Sequence, residues 1–164
     1  MGISTSKDKV TVHKTYNRNT GYAVSYPEHE TRVSSPLYNK THRTLCITND
    51  IPCLICGIKK SDGINMETHH FFCEYSMING IDWIEFGRKA QHLYNPQSGF
   101  HIGSSFNWKE VAKDPSIFVD SMHNMIVLCP THHRMRGTGI HHTPFPDWFI
   151  QIAPKKGFVP IKTT

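Results

Sequence analysis

Several things are missing from this 164-residue chain, and each absence excludes something. No run of 18 apolar residues occurs, so no membrane-spanning helix is expected. The first residues are polar and carry no apolar signal-peptide segment, which predicts a compartment where thiols stay reduced. Nothing repeats at a fixed period and no segment is of low complexity, which argues against a solenoid, and residues 1 to 8 read as a loose, polar tail. Apolar residues make up only 38%, so the core is lean and a structural metal would help it. No helix-turn-helix is legible, so long-site readout of DNA is not expected from this chain alone. Acidic residues are outnumbered, 13 against 18 Lys and Arg, giving a net charge of +5 and a pI of about 9.0. That balance is compatible with a polyanionic partner without establishing one.

What the chain does have is Cys and His in motif spacing. Five Cys and twelve His occur. Cys53-Leu-Ile-Cys56 precedes Gly57, and Cys129-Pro-Thr-His132 repeats the two-residue gap. Two such pairs on tight turns can direct four soft or borderline ligands at one tetrahedral Zn²⁺. Cys53, Cys56, Cys129 and His132 are therefore expected to hold a structural zinc that clips two distant stretches together. The competing readings are that Cys129 is a plain core residue, and that Cys53 and Cys56 are redox-active or paired by chance. Cys46 and Cys73 lack a partner at metal spacing and read as buried thiols, with Cys46 as the fallback ligand.

The pattern of the chain predicts an α+β fold. Residues 9 to 26 read as an N-terminal β-hairpin, with alternation on either side of Asn17–Gly21. Residues 27 to 44, with Pro27 and Pro36, read as a loop or linker. Residues 1 to 44 hold seven Lys and Arg against three Asp and Glu, a net of +4, and form a basic arm. Leu45–Ile51 and Ile64–Phe72 read as strands, as does Met125–Leu128. Ser76–Tyr94 and Asn107–Lys113 carry helical spacing within a long insertion over about 74–120, and Pro115–Ser121 reads as a connector. Pro130 starts a helix that Gly137 and Gly139 stop. Asp147–Ala153 reads as a last helix inside a C-terminal segment over 144–164. The domain proper is thus expected over 45–143.

Once the zinc ligands are set aside, His69, His70, Asn124 and His133 remain. Adjacent residues on a strand point to opposite faces, so His69 and His70 cannot share one task. One can bind a metal while the other meets water. His133 lies about 100° around its helix from His132, and can turn towards His69.

This constellation, with Cys-x-x-Cys, then Glu67-Thr-His-His-Phe-Phe72, then Asn124-Met-Ile-Val-Leu-Cys-Pro-Thr-His-His-Arg134, resembles the HNH endonuclease family in its zinc-bearing form. The resemblance covers residues 53 to 72 and 121 to 134. It implies a ββα-metal core, a hairpin and helix around one catalytic ion. It implies His70 as general base, His69 and His133 as ligands of the catalytic ion, and Asn124 as the residue that orients the hairpin. Arg134 or Arg136 would hold a neighbouring phosphate. The implied function is metal-dependent hydrolysis of DNA phosphodiester bonds, by nicking or double-strand cleavage with little sequence choice, in the cytoplasm of a bacterium or phage-infected cell. A His is an effective base near neutral pH, and imidazole ligands leave Mg²⁺, Mn²⁺, Ni²⁺ or Zn²⁺ as the ion. The alternative is a non-catalytic, zinc-stabilised binding or structural module on the same scaffold, which needs no His70. The fifty residues between His70 and Asn124 depart from compact members of the family. Trp83, His92, Trp108 and Lys113 in that stretch could reach substrate but read more readily as core or surface. His141 and His142, after a Gly-rich turn, read as surface residues, with a phosphate or metal role as the lesser reading.

Overall fold

A computed structural model describes residues 26–145 and 147–152. The expected N-terminal hairpin lies outside the described residues. The architecture is α+β, with short helices around one two-stranded antiparallel sheet. Among the described residues no helix is long and apolar enough to cross a membrane.

The first described element is a helix where a loop was expected. Ser35 caps α1 (Pro36–His42): its Oγ accepts the Tyr38 N–H at 2.9 Å, and Pro36 occupies the first turn, where its missing N–H costs nothing. α1 runs straight into a π-helical turn, Arg43–Thr48, in which the Asn49 N–H reaches back five residues to the Thr44 carbonyl at 2.9 Å. Leu45–Ile51 is therefore not a strand. A short apolar run has no period of its own and adopts whichever conformation buries it. In a strand Leu45 and Cys46 would face opposite ways, whereas here both are buried on one side.

β1 (Glu67–His70) pairs antiparallel with β2 (Met125–Leu128), in the register Glu67 with Leu128, Thr68 with Val127, His69 with Ile126 and His70 with Met125. All four residues of β2 are buried. They pack with Leu45, Ile55, Met66 and Trp148 in the first of two cores.

The insertion between the strands has a core of its own. A 3₁₀ stretch (Tyr75–Gly80), α2 (Trp83–Lys89), α3 (Trp108–Val111) and α4 (Ser116–Val119) surround Trp83, Ile102, Val111 and Phe118. The expected connector at 115–121 is thus a helical turn. Phe118 is at the centre, with Phe106, Trp108, Phe86 and Trp83 at ring-centroid distances of 5.4, 5.4, 5.5 and 6.0 Å. Tilted and edge-on contacts of this kind suit aromatic quadrupoles. Gly87 permits the approach, because a Cβ there would lie 2.2 Å from the Trp108 ring. Trp83 and Trp108 are core residues, while His92 and Lys113 are exposed.

The insertion is also tied to the first core. Gln97 accepts the Val127 N–H at 2.6 Å and donates to the Pro52 carbonyl, so one side chain joins β2 to the turn that carries Cys53. The Asn95 amide donates to the Met125 carbonyl at 2.7 Å.

α5 (Pro130–His133) follows β2 directly. The chain then turns back along it, and the last element among the described residues is a single 3₁₀ turn, Phe149–Ile152, where a helix over Asp147–Ala153 was expected. Trp148, fully buried, anchors it by donating from Nε1 to the His132 carbonyl at 2.9 Å.

Candidate metal centres and the histidine between the strands

The first cluster joins the two Cys-containing turns. Cys53, Cys56, Cys129 and His132 each offer one ligand atom, all within 4.8 Å of one another. The Cys56 and Cys129 sulfurs are 3.8 Å apart, and His132 Nδ1 is 3.7 Å from Cys53 Sγ and 3.2 Å from Cys129 Sγ. A tetrahedral Zn²⁺ with Zn–S of about 2.3 Å and Zn–N of about 2.0 Å sets ligand–ligand edges of about 3.5 to 3.8 Å. The donor set and its spacing therefore fit a metal such as zinc. The turn around Cys53 is closed by the Gly57 N–H on the Cys53 carbonyl at 2.9 Å, with Gly57 at φ +75°. Burial raises the Cys53 thiol pKa, but the His132 contact and the backbone N–H groups of Cys56, Cys129 and Ile55 outweigh it and bring it down to about 6. Cys56 is pushed up to about 12, by burial first and then by the neighbouring sulfurs. Three thiols this close cannot all ionise without a cation to receive them. Cys46 and Cys73 stand apart. Burial raises them to about 11 and about 12, and neither belongs to a ligand cluster among the described residues.

The second cluster is made of imidazoles. His69, His133 and His141 also offer ligand atoms within 4.8 Å of one another. The Nε2 atoms of His133 and His141 are 3.1 Å apart, and the ring of His69 lies 5.1 Å from that of His133 and 4.8 Å from that of His141. A divalent ion at about 2.1 Å from two cis imidazole nitrogens would hold them about 3.0 to 3.4 Å apart. His133 Nδ1 lies 2.7 Å from Glu67 Oε2, which leaves Nε2 for the cluster. A carboxylate behind a ligating His fixes its tautomer and raises its basicity. Glu67 is fixed in turn by Arg134, whose Nε donates to Oε1 at 2.8 Å. Burial, and then the charges of His133, His141 and His70, press the His69 pKa down to about 3, so it is present as the neutral ligand form.

From sequence, His141 has a metal role only as the lesser reading, behind a surface one. The chain brings it in because residues 139–141 fold against α5: Ile140 N–H donates to His132 O at 3.0 Å and Gly139 N–H to Met135 O at 2.8 Å. A Cβ on Gly139 would sit 2.7 Å from the His133 carbonyl oxygen, so only glycine passes there. The Gly137 and Gly139 pair after α5 was the available signal, since a tight reversal returns the chain to the helix it has just left. His142 remains exposed.

His70 points away from this cluster but remains beside it. Glu74 links the two, with Oε1 at 3.8 Å from His69 Nε2 and Oε2 at 3.8 Å from His70 Nδ1. On its far side His70 Nε2 is 3.4 Å from Asp120 Oδ1 and 3.4 Å from Arg32 Nη2. Tyr38 stacks alongside, with ring centroids 6.2 Å apart. Sequence reasoning missed Asp120, Arg32, Glu74 and Glu67, since each is an isolated charge whose partner lies far away in the chain.

Asn124 is fully buried and has every amide group engaged. Its Oδ1 accepts from the Phe72 and Cys73 N–H groups at 2.9 and 3.1 Å, and its Nδ2 donates to the Cys73 and Val119 carbonyls at 2.9 and 2.8 Å. It brackets the backbone just beyond His70. Arg134 is exposed and engaged with Glu67, while Arg136 is exposed further along.

No protein-family model matches this chain, and neither a curated protein nor a solved structure is significantly similar to it.

Proposed function

We propose that the chain is a metal-dependent endonuclease of the HNH type that hydrolyses DNA phosphodiester bonds, on a ββα-metal core made of β1, β2 and α5. The observation that supports this most is a juxtaposition: a three-imidazole cluster and a separate histidine, His70, flank one carboxylate, Glu74. A binding module would need a zinc clip and no more. In this reading Cys53, Cys56, Cys129 and His132 hold a structural zinc. His69 and His133, with His141 added, hold the working ion, which is Mg²⁺, Mn²⁺, Ni²⁺ or Zn²⁺, imidazoles leaning away from Mg²⁺. That ion, when bound, supplies positive charge to the phosphate oxygens and the leaving oxygen.

The residues divide the remaining work. His70 takes a proton from the attacking water as the water oxygen bonds to phosphorus. The bond from phosphorus to the leaving sugar oxygen breaks, and that oxygen takes its proton from solvent. Asn124 holds the turn after β1, and so holds His70 in place. Arg134 and Arg136 are exposed in the turn that follows α5, where they can meet flanking phosphates. DNA is the proposed partner and a bacterial or phage-infected cytoplasm the proposed setting.

The burial of His70, 5% exposed behind Arg32, Tyr38 and Glu74, favours the second reading, a non-catalytic zinc-stabilised nucleic-acid-binding or structural module. Supercoiled-plasmid nicking separates the two. The nuclease reading expects cleavage by the wild-type chain with Mn²⁺ or Ni²⁺ and none by His70→Ala, with zinc content and melting unchanged. Equal cleavage by His70→Ala would remove His70 as the base, and no cleavage by either would favour the binding module.

A further inference from the structure

We propose that Asp120 is a positioning residue for His70, one that holds the proton on Nε2 and so leaves Nδ1, the nitrogen that faces Glu74 and the imidazole cluster, free to accept one. Its consequence for catalysis rests on the nuclease reading above, but the tautomer itself does not.

Asp120 carries a cost that the fold does not otherwise explain. Asp120 is 2% exposed, at the end of α4, and a buried carboxylate is costly unless it is well partnered. Burial alone would raise its pKa. The contacts with His70, Ser35 and Arg32 reverse that and lower it, so the group is an anion. Its Oδ2 receives the Ser35 hydroxyl at 2.6 Å. Its Oδ1 faces His70 Nε2 at 3.4 Å and Arg32 Nη2 at 3.5 Å. Capping of α1 does not require it, because Ser35 Oγ already accepts the Tyr38 N–H there.

Four groups face His70, and they are not equivalent. Asp120 and Arg32 lie on the Nε2 side, Glu74 on the Nδ1 side, and Tyr38 against the ring face. A carboxylate oxygen can only accept, so an unprotonated Nε2 would set a lone pair against a buried anion. Arg32 is the competing donor to Nε2. It is one-third exposed, and its guanidinium also lies over the Tyr38 and Tyr75 rings at 4.4 and 5.4 Å. It has other outlets, whereas among the described residues Oδ1 has His70 and Arg32 only. Glu74 is the weaker claimant, 3.8 Å from Nδ1 with its side chain 45% exposed to screening water, whereas Asp120 is 3.4 Å from Nε2 and buried, so the proton belongs on Nε2. When Nδ1 takes a second proton, the charge gained by the ring meets a carboxylate fixed by Ser35. Stretches far apart in the chain, around residues 32–35, 70 and 120, together orient the one imidazole.

The test reads the tautomer directly. Long-range ¹H–¹⁵N correlation spectra of zinc-loaded, ¹⁵N-histidine-labelled protein, with His70 identified by its loss in His70→Gln, should show Nε2 protonated and Nδ1 bare. Asp120→Ala should lose this preference and slow plasmid nicking by roughly 10²-fold or more in kcat, with KM for plasmid unchanged. Asp120→Asn keeps an acceptor towards His70 and should retain the tautomer with a smaller loss of rate. An Nδ1–H tautomer in the wild-type chain would overturn the proposal, as would a folded Asp120→Ala with unaltered tautomer. If Asp120→Ala does not fold, the wild-type spectrum decides. If the wild-type chain does not nick DNA at all, the nuclease reading fails while the tautomer still decides the role of Asp120.

Discussion

Two ligand clusters share α5, and adjacent residues of one helix serve them: His132 belongs to the first and His133 to the second. In the first, three of four ligands are sulfur, two of the four are buried, and the set is complete for a tetrahedral ion. In the second all three ligands are imidazole, His141 is exposed, and positions around an ion would stay open for water and phosphate. The first joins turns 73 residues apart between Cys56 and Cys129, so an ion bound there would act as a covalent-like clip. The second sits where the clip has already brought β1 and α5 together. Under the proposed reading the difference assigns folding to one cluster and chemistry to the other, even though about 100° of helix rotation is all that separates their adjacent histidines.

The sharpest way to break this contrast is to remove one sulfur. Cys53→Ala should forfeit folding free energy on the order of several kcal/mol and leave the domain largely unfolded by circular dichroism, because ligand loss and folding are one event here. A Cys53→Ala protein that melts like the wild type would place the structural role elsewhere.

How much of this contrast is visible in the sequence depends on whether the partners are local. The spacing of Cys53, Cys56, Cys129 and His132 is legible because two tight turns impose it. The opposed faces of His69 and His70 follow from strand geometry alone. β2 is legible as a buried apolar run, and the helical character of the insertion from its spacing. Ser35-Pro36 was also legible as a helix start, but Pro36 reads as a loop signal when the Ser before it is not weighed as a cap. Leu45–Ile51 was ambiguous on physical grounds, since packing chose between a strand and a π-turn. Asp120 and Glu67 matter through contacts 50 and 66 residues away, and no local rule predicts such pairings, while His141, 8 residues from His133, is signalled only by the glycine pair between them.

A smaller effect sharpens the same comparison. Glu67→Ala removes the carboxylate behind His133 and should weaken metal binding at the imidazole cluster by roughly 10- to 100-fold, with the cysteine cluster still loaded. Calorimetric titration of Ni²⁺ or Mn²⁺ into zinc-clipped protein reads this. Unchanged affinity would mean that His133 needs no support from Glu67, or that the ion does not sit there.

The most direct measurement is the metal content of the wild-type chain and of His133→Ala, after loading with Zn²⁺ and desalting. Two clusters of different kind predict two ions per wild-type chain and one in the variant, with the melting temperature of the variant close to that of the wild type. A single ion in the wild-type chain, or a His133→Ala protein that keeps both, would contradict the existence of a separate imidazole centre.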